Sequence, residues 1–243
     1  MSLSVATLNI EGDKHLNLVI PFLKERKPDI ACIQEIHELD MPLFEEALSA
    51  KGVFAPGILR QSPARPGVPE GEAIFSKLPI LASAIRQYAG DPRTPVFFDR
   101  TTTATKHATQ RYMLTTVQVE HEGKRYTIGT THFIWTPDGE ADDFQRRGLL
   151  KFMKALDETG EVLLMGDFNA PRGKEIFTAL AQRFKDNVPA EYTTSIHGPL
   201  HREGPIPFMV DGIFSTPQYS VSGVSMFCGV SDHCALVAEV EKA

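Results

Sequence analysis

Several short apolar runs in this chain end, or begin, on residues able to hold a cation or move a proton. "SVATLNI" carries Asn9 near its end, "DIACIQE" closes on Glu35, and "YTIGTTHF" reaches His132. "VLLMGDFN" runs into Asp167 and Asn169, and "PFMVDGIF" holds Asp211 within its apolar stretch. "VSDHCALVAEV" sets Asp232 and His233 just before a strand-like segment. Taken singly, each has an ordinary explanation, because Gly, Asp and Asn are common turn formers. Taken together they are a coherent chemical set. Glu35, Asn9 and Asp232 offer hard oxygen ligands, which suit Mg2+, or Mn2+, rather than zinc. Such a cation binds a phosphoryl oxygen and offsets the charge that builds during attack. His132 and His233 exchange protons or hydrogen bonds near neutral pH, and Asp211 can fix one imidazole tautomer. If the last strand runs antiparallel to the others, its start lies beside their ends and the whole set meets at one rim.

The elements that must position these residues are short. Strand-like runs such as "LSVATLNI", "DIACIQ", "EAIFS", "PILASAI", "YMLTTVQVE", "RYTIGTTHF", "EVLLMG" and "CALVAEVE" alternate or are β-branched, with Gly, Pro or Asp between them. "EHEGKRYTI" reads as a hairpin with Gly123 at its tip. In "DFQRRGLLKFMKALDETG", Phe144, Leu149, Phe152, Met153 and Leu156 recur at helical spacing, and Gly160 follows as a C-cap candidate. "KEIFTALAQRF" and "MPLFEEALSAKG" are further helix candidates. In "HLNLVIPFLKERKPD", Pro21 implies that the helix starts near it or kinks there. Strands outnumber helices and the helices are dispersed, which suggests packed sheets covered outside by helices. The Pro/Gly-rich segments 55–71, 86–110 and 187–206 read as long surface loops.

The motifs also resemble those of a known family. "TLNI", "CIQE", "GTTHF", "GDFN", "VDGIF" and "SDH" occur in the order found in the endonuclease/exonuclease/phosphatase superfamily, the deoxyribonuclease I-like and exonuclease III-like metallohydrolases. "GEAIFSKLPI" resembles a further strand and turn of that family. The resemblance runs from Asn9 to His233 and implies a four-layer α/β/β/α sandwich of two mostly antiparallel sheets flanked by helices. Residues 1–243 would form a single catalytic domain, since no composition shift marks a boundary. It implies Glu35 as principal metal ligand with Asn9 beside it, and Asp232 as a further ligand. Asp167 would activate or orient the attacking water, with Asn169 as its positioning partner. Asp211 and His233 would form a carboxylate–imidazole pair, with His233 and His132 against the phosphate. Phe133 stands where Leu is more usual, and Gly212 where the family often has an aromatic residue.

The implied reaction is Mg-dependent hydrolysis of a phosphodiester or phosphomonoester by in-line attack of water. A nuclease acting on DNA or RNA is an alternative within the family. A non-catalytic binding or regulatory protein that retains the fold is another. Trp135 could stack on a flat group of the substrate. Arg86, Arg93, Arg100, Lys106 and Arg111 bias one segment positive, and Arg111 is a candidate substrate contact.

Bulk composition narrows the field. The 243 residues are 42% hydrophobic and 23% charged, ordinary for a globular protein with a sizeable core. The net charge of -6 argues against tight binding of nucleic acid through charge alone, although nucleic acid stays open as a partner. Cys32, Cys228 and Cys234 form no CxxC pair, and their odd count does not suggest a disulfide framework. A reducing compartment, and so a cytoplasmic location, is the simpler expectation. No secretory signal and no membrane span is evident, so no membrane association is expected. No protein partner is implied. His15, His37, His107, His121, His197 and His201 are left as surface residues.

Overall fold

The structure, a computed structural model, describes residues 2–61, 65–91 and 96–243. The described chain forms two six-stranded sheets. The first runs, in spatial order, β11 (Tyr219–Phe227), β12 (Ala235–Lys242), β1 (Leu3–Asn9), β2 (Ile30–His37), β4 (Pro66–Ser76) and β3 (Lys51–Gln61). The second runs β5 (Ile80–Gly90), β6 (Arg111–His121), β7 (Lys124–His132), β8 (Leu163–Asp167), β10 (Asp211–Ser215) and β9 (Lys185–Asp186). Helices α1 (Leu16–Arg26) and α2 (Met41–Leu48) pack on the first sheet. Helices α4 (Asp143–Thr159) and α5 (Glu175–Ala181) pack on the second. A short helix α3 (Thr103–Thr109) lies between β5 and β6 in sequence.

Alternation along the central strands builds these layers. On β2, Ile30 and Cys32 enter the core shared by both sheets, while Ala31 and Ile33 face the helices. On β8, Leu163 and Met165 point into the shared core and Leu164 points toward α4 and α5. A period of two with both faces buried is what a strand covered on each side requires. Each fully buried Leu, Ile or Phe in these layers contributes roughly 1.5–3 kcal/mol relative to exposure. The result is the expected α/β/β/α sandwich.

One topological feature positions the site. Most neighbours are antiparallel, but β1–β2 and β7–β8 are parallel pairs, joined through α1 and α4 respectively. The C-terminal ends of all four strands therefore lie at one edge of the sandwich. β12 is antiparallel to β1, and β10 is antiparallel to β8, so the starts of those two strands arrive at the same edge.

Several local expectations are corrected. Segment 55–71 is mostly strand, because β3 and β4 pair with each other over it. Pro56 sits beside a bulge in edge strand β3, and Pro66 and Pro69 lie on β4 beyond the reach of β2, so no central ladder bond is lost. Segment 86–110 contributes the end of β5 and the helix α3, whose Thr102 and Thr105 cap each other reciprocally. Residues 62–64 and 92–95, including Arg93, lie outside the described residues. Segment 187–206 carries no helix or strand, as expected. Helix α1 starts at Leu16 and continues through Pro21, which is exposed, so water can take the carbonyl it leaves free. The hairpin turns on Glu122 (φ 51°) and Gly123 (φ 75°), both left-handed.

The cysteine reading is also corrected. Cys228 and Cys234 are joined in a disulfide. Cys228 follows β11 and Cys234 precedes β12, and the pairing of Phe227 with Ala235 brings the two cysteines together. Cys32 is a buried free thiol whose pKa burial pushes up, so it behaves as a small core hydrophobe. His37 and His107 are buried rather than on the surface. His37 bonds Glu70 at 3.1 Å, and His107 stacks on Phe144. Among the described residues no helix is long and apolar enough to cross a membrane.

Candidate active site

Asn9 closes β1, His132 closes β7 and Asp167 closes β8, while Asp211 opens β10 and Asp232 and His233 lie just before Cys234 and β12. Glu35 lies within β2 at a bulge and has φ 58°. A bulge re-aims a side chain that regular pleating would send elsewhere. Register does the remaining alignment: Asp167 pairs with His132 on one side and with Asp211 on the other. Gly166 is required one residue earlier, since a Cβ there would lie 2.2 Å from the Thr131 carbonyl oxygen. Asn169, at φ 47°, turns the chain away from the strand, and its backbone N–H donates to Asp167 Oδ1 at 2.8 Å.

Asp167 is the hub. Its Oδ2 accepts from Asn9 Nδ2 at 3.0 Å, and lies 3.5 Å from His132 Nε2 and 3.8 Å from His233 Nε2. Asn9 Nδ2 also reaches Glu35 Oε1 at 3.3 Å, and Asn9 Oδ1 accepts the Glu11 N–H at 3.1 Å. Carboxylates only accept, so the amide nitrogen of Asn9 must face them. In this arrangement Asn9 acts as a donor that aligns two carboxylates, and its oxygen is already engaged. The side chain of Asn169 donates to the Phe133 carbonyl at 3.0 Å, fixing the turn. His233 Nδ1 lies 2.8 Å from Asp211 Oδ2, which leaves Nε2 directed at Asp167. The Ser195 hydroxyl accepts the backbone N–H groups of Val210 and Asp211.

The electrostatics separate the groups by role. Burial would raise the Glu35 pKa, but His132, Arg60 and the Asn9 hydrogen bond together hold it at about 2. Burial would lower the His233 pKa, but the carboxylates of Asp211 and Asp167 raise it well above the usual imidazole range. His233 is thus kept as an imidazolium by its neighbours. Behind the rim, Glu72 accepts the His132 N–H and the Thr115 hydroxyl, each at 2.8 Å, and burial pushes its pKa up to about 8.

The donor set suits a hard cation. Burial raises the Asp232 pKa, and the carboxylates of Glu11 and Glu35 raise it further. Glu11, His15 and Asp232 also come close enough to share one ion. Crowded carboxylates that disfavour one another's charge are relieved by a divalent cation, and oxygen donors match Mg2+ or Mn2+. Sequence reasoning missed Glu11. Its signal was available, since it follows Asn9 by two residues on the turn leaving β1.

Most of these groups line a cavity of ≈ 770 Å³, with Asp211 and His15 set behind its lining. Trp135 and Arg111 line it too. One face of the Trp135 ring is covered by Lys106, whose Nζ lies 3.4 Å from the ring centroid. Nε2 of His107 donates to the Trp135 carbonyl at 3.0 Å, tying α3 to the end of β7. Arg111 is held by Gln87 through its Nε at 3.1 Å. Arg60, which sequence reasoning did not single out, bonds Glu35 at 3.3 Å and Glu70 through its Nε. Arg86 lies instead beside Glu158.

The model of the endonuclease/exonuclease/phosphatase family matches residues 6–233. The chain belongs to that family. The endonuclease/exonuclease/phosphatase family is named for nucleases and phosphatases, enzymes that hydrolyse phosphate esters. Solved structures carry the same fold. The endonuclease/exonuclease/phosphatase from Bacteroides vulgatus superposes with a TM-score of 0.74 at 19% identity, covering 100% of both chains. The human Nocturnin catalytic domain, with bound sulfate, gives 0.67 at 20% identity over 100% of this chain and 94% of that one. The mannosyl-6-phosphatase Bt3783 of Bacteroides thetaiotaomicron gives 0.70 at 15% identity over 99% of this chain and 100% of that one. At these identities the likeness speaks to the fold. Comparison with curated protein sequences found no match.

Proposed function

We propose that this protein is a Mg-dependent phosphoesterase that hydrolyses a phosphate ester by in-line attack of water. The observation that carries the reading is the His233–Asp211 pair at 2.8 Å, aimed at the same Asp167 that Asn9 and His132 face. Family membership and a fold shared with a phosphatase agree with it.

Each side chain has a task in that reaction. Asp167 accepts a hydrogen bond from the attacking water and orients its lone pair at phosphorus. The protonated Nε2 of His233 donates to a phosphoryl oxygen and stabilises the added charge. Asp211 holds the other ring nitrogen, so the imidazole neither rotates nor loses its proton. His132 adds a second donor at the phosphate, and Asn169 fixes the turn that aims Asp167. Glu35, Glu11 and Asp232 would hold the cation, with Asn9 aligning Glu35 against Asp167. A divalent cation bound there would polarise the phosphoryl group and neutralise charge on it.

The test is a panel of phosphomonoesters and phosphodiesters with Mg2+ and Mn2+. Turnover that disappears in excess chelator and in folded Asp167→Ala protein supports the reading. Full activity in either case defeats it.

A further inference from the structure

Beyond the rim, the same cavity gathers cations that the hydrolytic reaction does not use. Arg100 and Lys106 come from the segment around α3, and Arg202 comes from the irregular segment 187–206. They are close enough to disfavour one another. Arg100 is exposed; partial desolvation lowers its pKa, Arg60 and Arg202 lower it further, and Glu35 and Glu70 oppose them. Burial brings Lys106 down to about 8; Glu35 opposes that shift, while Arg100 and Arg202 add to it. Among the described residues, neither Arg100 nor Lys106 pairs with a carboxylate within salt-bridge distance. Arg202 reaches only its exposed neighbour Glu203, at 3.3 Å. Three cations from two chain segments thus converge on one concavity, and although Glu35 attracts two of them from the rim, neither Arg100 nor Lys106 is paired, so a bound anion would offset their mutual repulsion.

The size and surroundings of the cavity limit what that anion belongs to. A volume of ≈ 770 Å³ lies in the range of about 300–1,000 Å³ typical of small-molecule sites. Asp138 precedes Gly139 of its lining, and the chain carries a net charge of -6, so a long polyanion meets repulsion outside the cavity.

We propose that Arg100, Lys106 and Arg202 form a subsite for a second phosphoryl group, so that the substrate is a compact phosphate ester bearing at least one further phosphate. This rests on the phosphoesterase reading for its kinetic consequence, but binding can be measured without turnover. Trp135 is the only tryptophan, and Lys106 sits on its ring. An anion that draws Lys106 away changes the fluorescence of Trp135.

Two measurements decide it. In chelator, Trp135 fluorescence is titrated with pyrophosphate and with orthophosphate, for the wild type and for an Arg100→Met, Arg202→Met double variant checked for folding by thermal melting. Pyrophosphate binding at least about tenfold tighter than orthophosphate, with the preference lost in the double variant, is expected. Equal binding of the two anions, or a preference that survives in the folded double variant, overturns the subsite. With Mg2+, kcat/KM for fructose 1,6-bisphosphate should exceed that for fructose 6-phosphate, and the ratio should fall toward one in the double variant. An unchanged ratio, or faster cleavage of a single-stranded oligonucleotide than of the bisphosphate, also overturns it. Absence of any hydrolysis defeats the phosphoesterase reading instead, while the titration still decides the subsite.

Discussion

His233 and Asp211 share a hydrogen bond of 2.8 Å from Nδ1 to Oδ2, and both side chains are buried. The pair raises the His233 pKa, so the imidazolium persists toward alkaline pH. Asp211→Asn keeps a hydrogen-bonding partner but removes the charge. The His233 pKa then falls, and the alkaline limb of the pH–rate profile moves to lower pH. This shift is expected together with a loss in kcat on the order of a hundredfold or more. A profile identical to that of the wild type would show that protonated His233 is not used.

Glu11 is predicted to share in cation binding. Its carboxylate lies within reach of His15 and Asp232, and it disfavours the charge on Asp232. Glu11→Gln should weaken Mn2+ binding by about tenfold, equivalent to ~1.4 kcal/mol, as measured by titration calorimetry. Unaltered affinity in the variant would remove Glu11 from the metal site.

Glu72 makes stability depend on pH. Its folded pKa, about 8, is above the ordinary carboxyl value of 4.5. Between those values the folded state binds a proton that the unfolded state has released, so stability falls as pH rises through the window. The expected slope from this group is on the order of 1.4 kcal/mol per pH unit. Glu72→Gln removes the titrating group and should flatten that slope in urea denaturation at pH 6 and pH 8. Parallel slopes for both proteins would refute the assignment.

The Cys228–Cys234 disulfide encloses Asp232 and His233. Cys228 is exposed, so a small reductant can reach it. Closing so short a loop restricts the unfolded chain by about 2 kcal/mol on the chain-entropy view. Reduction, or Cys228→Ser, should therefore lower the Tm. The loss of kcat should stay below about tenfold, because Asp211 and the bond from Cys234 N–H to the Ser195 carbonyl still hold the loop. Equal melting temperatures before and after reduction would show that the bridge does not stabilise the fold.

Much of this architecture is legible in the chain. The apolar alternation of β1, β2, β7 and β8 predicts strands, and the polar residues at their ends predict a shared rim. What escaped has specific physical causes. β3 and the start of β4 carry prolines, which edge positions tolerate but which read as loop. Helix α3 has no apolar period and rests on reciprocal threonine caps. The disulfide depends on strand pairing that no cysteine spacing reveals. Trp135 reads as a stacking platform, and only the folded chain shows that Lys106 covers one of its faces. Arg60 and Arg202 reach the cavity only through tertiary structure, so nothing in their local sequence distinguishes them from solvated cations.

The most direct test of the central claim is hydrolysis of p-nitrophenyl phosphate and bis(p-nitrophenyl) phosphate by the wild type and by His233→Ala and Asp167→Ala, each checked for folding by circular dichroism. Mg-dependent release of nitrophenol from at least one ester by the wild type is expected, abolished by excess chelator, and reduced on the order of a hundredfold or more in each variant. Undiminished release from either folded variant, or from the wild type in excess chelator, would contradict it.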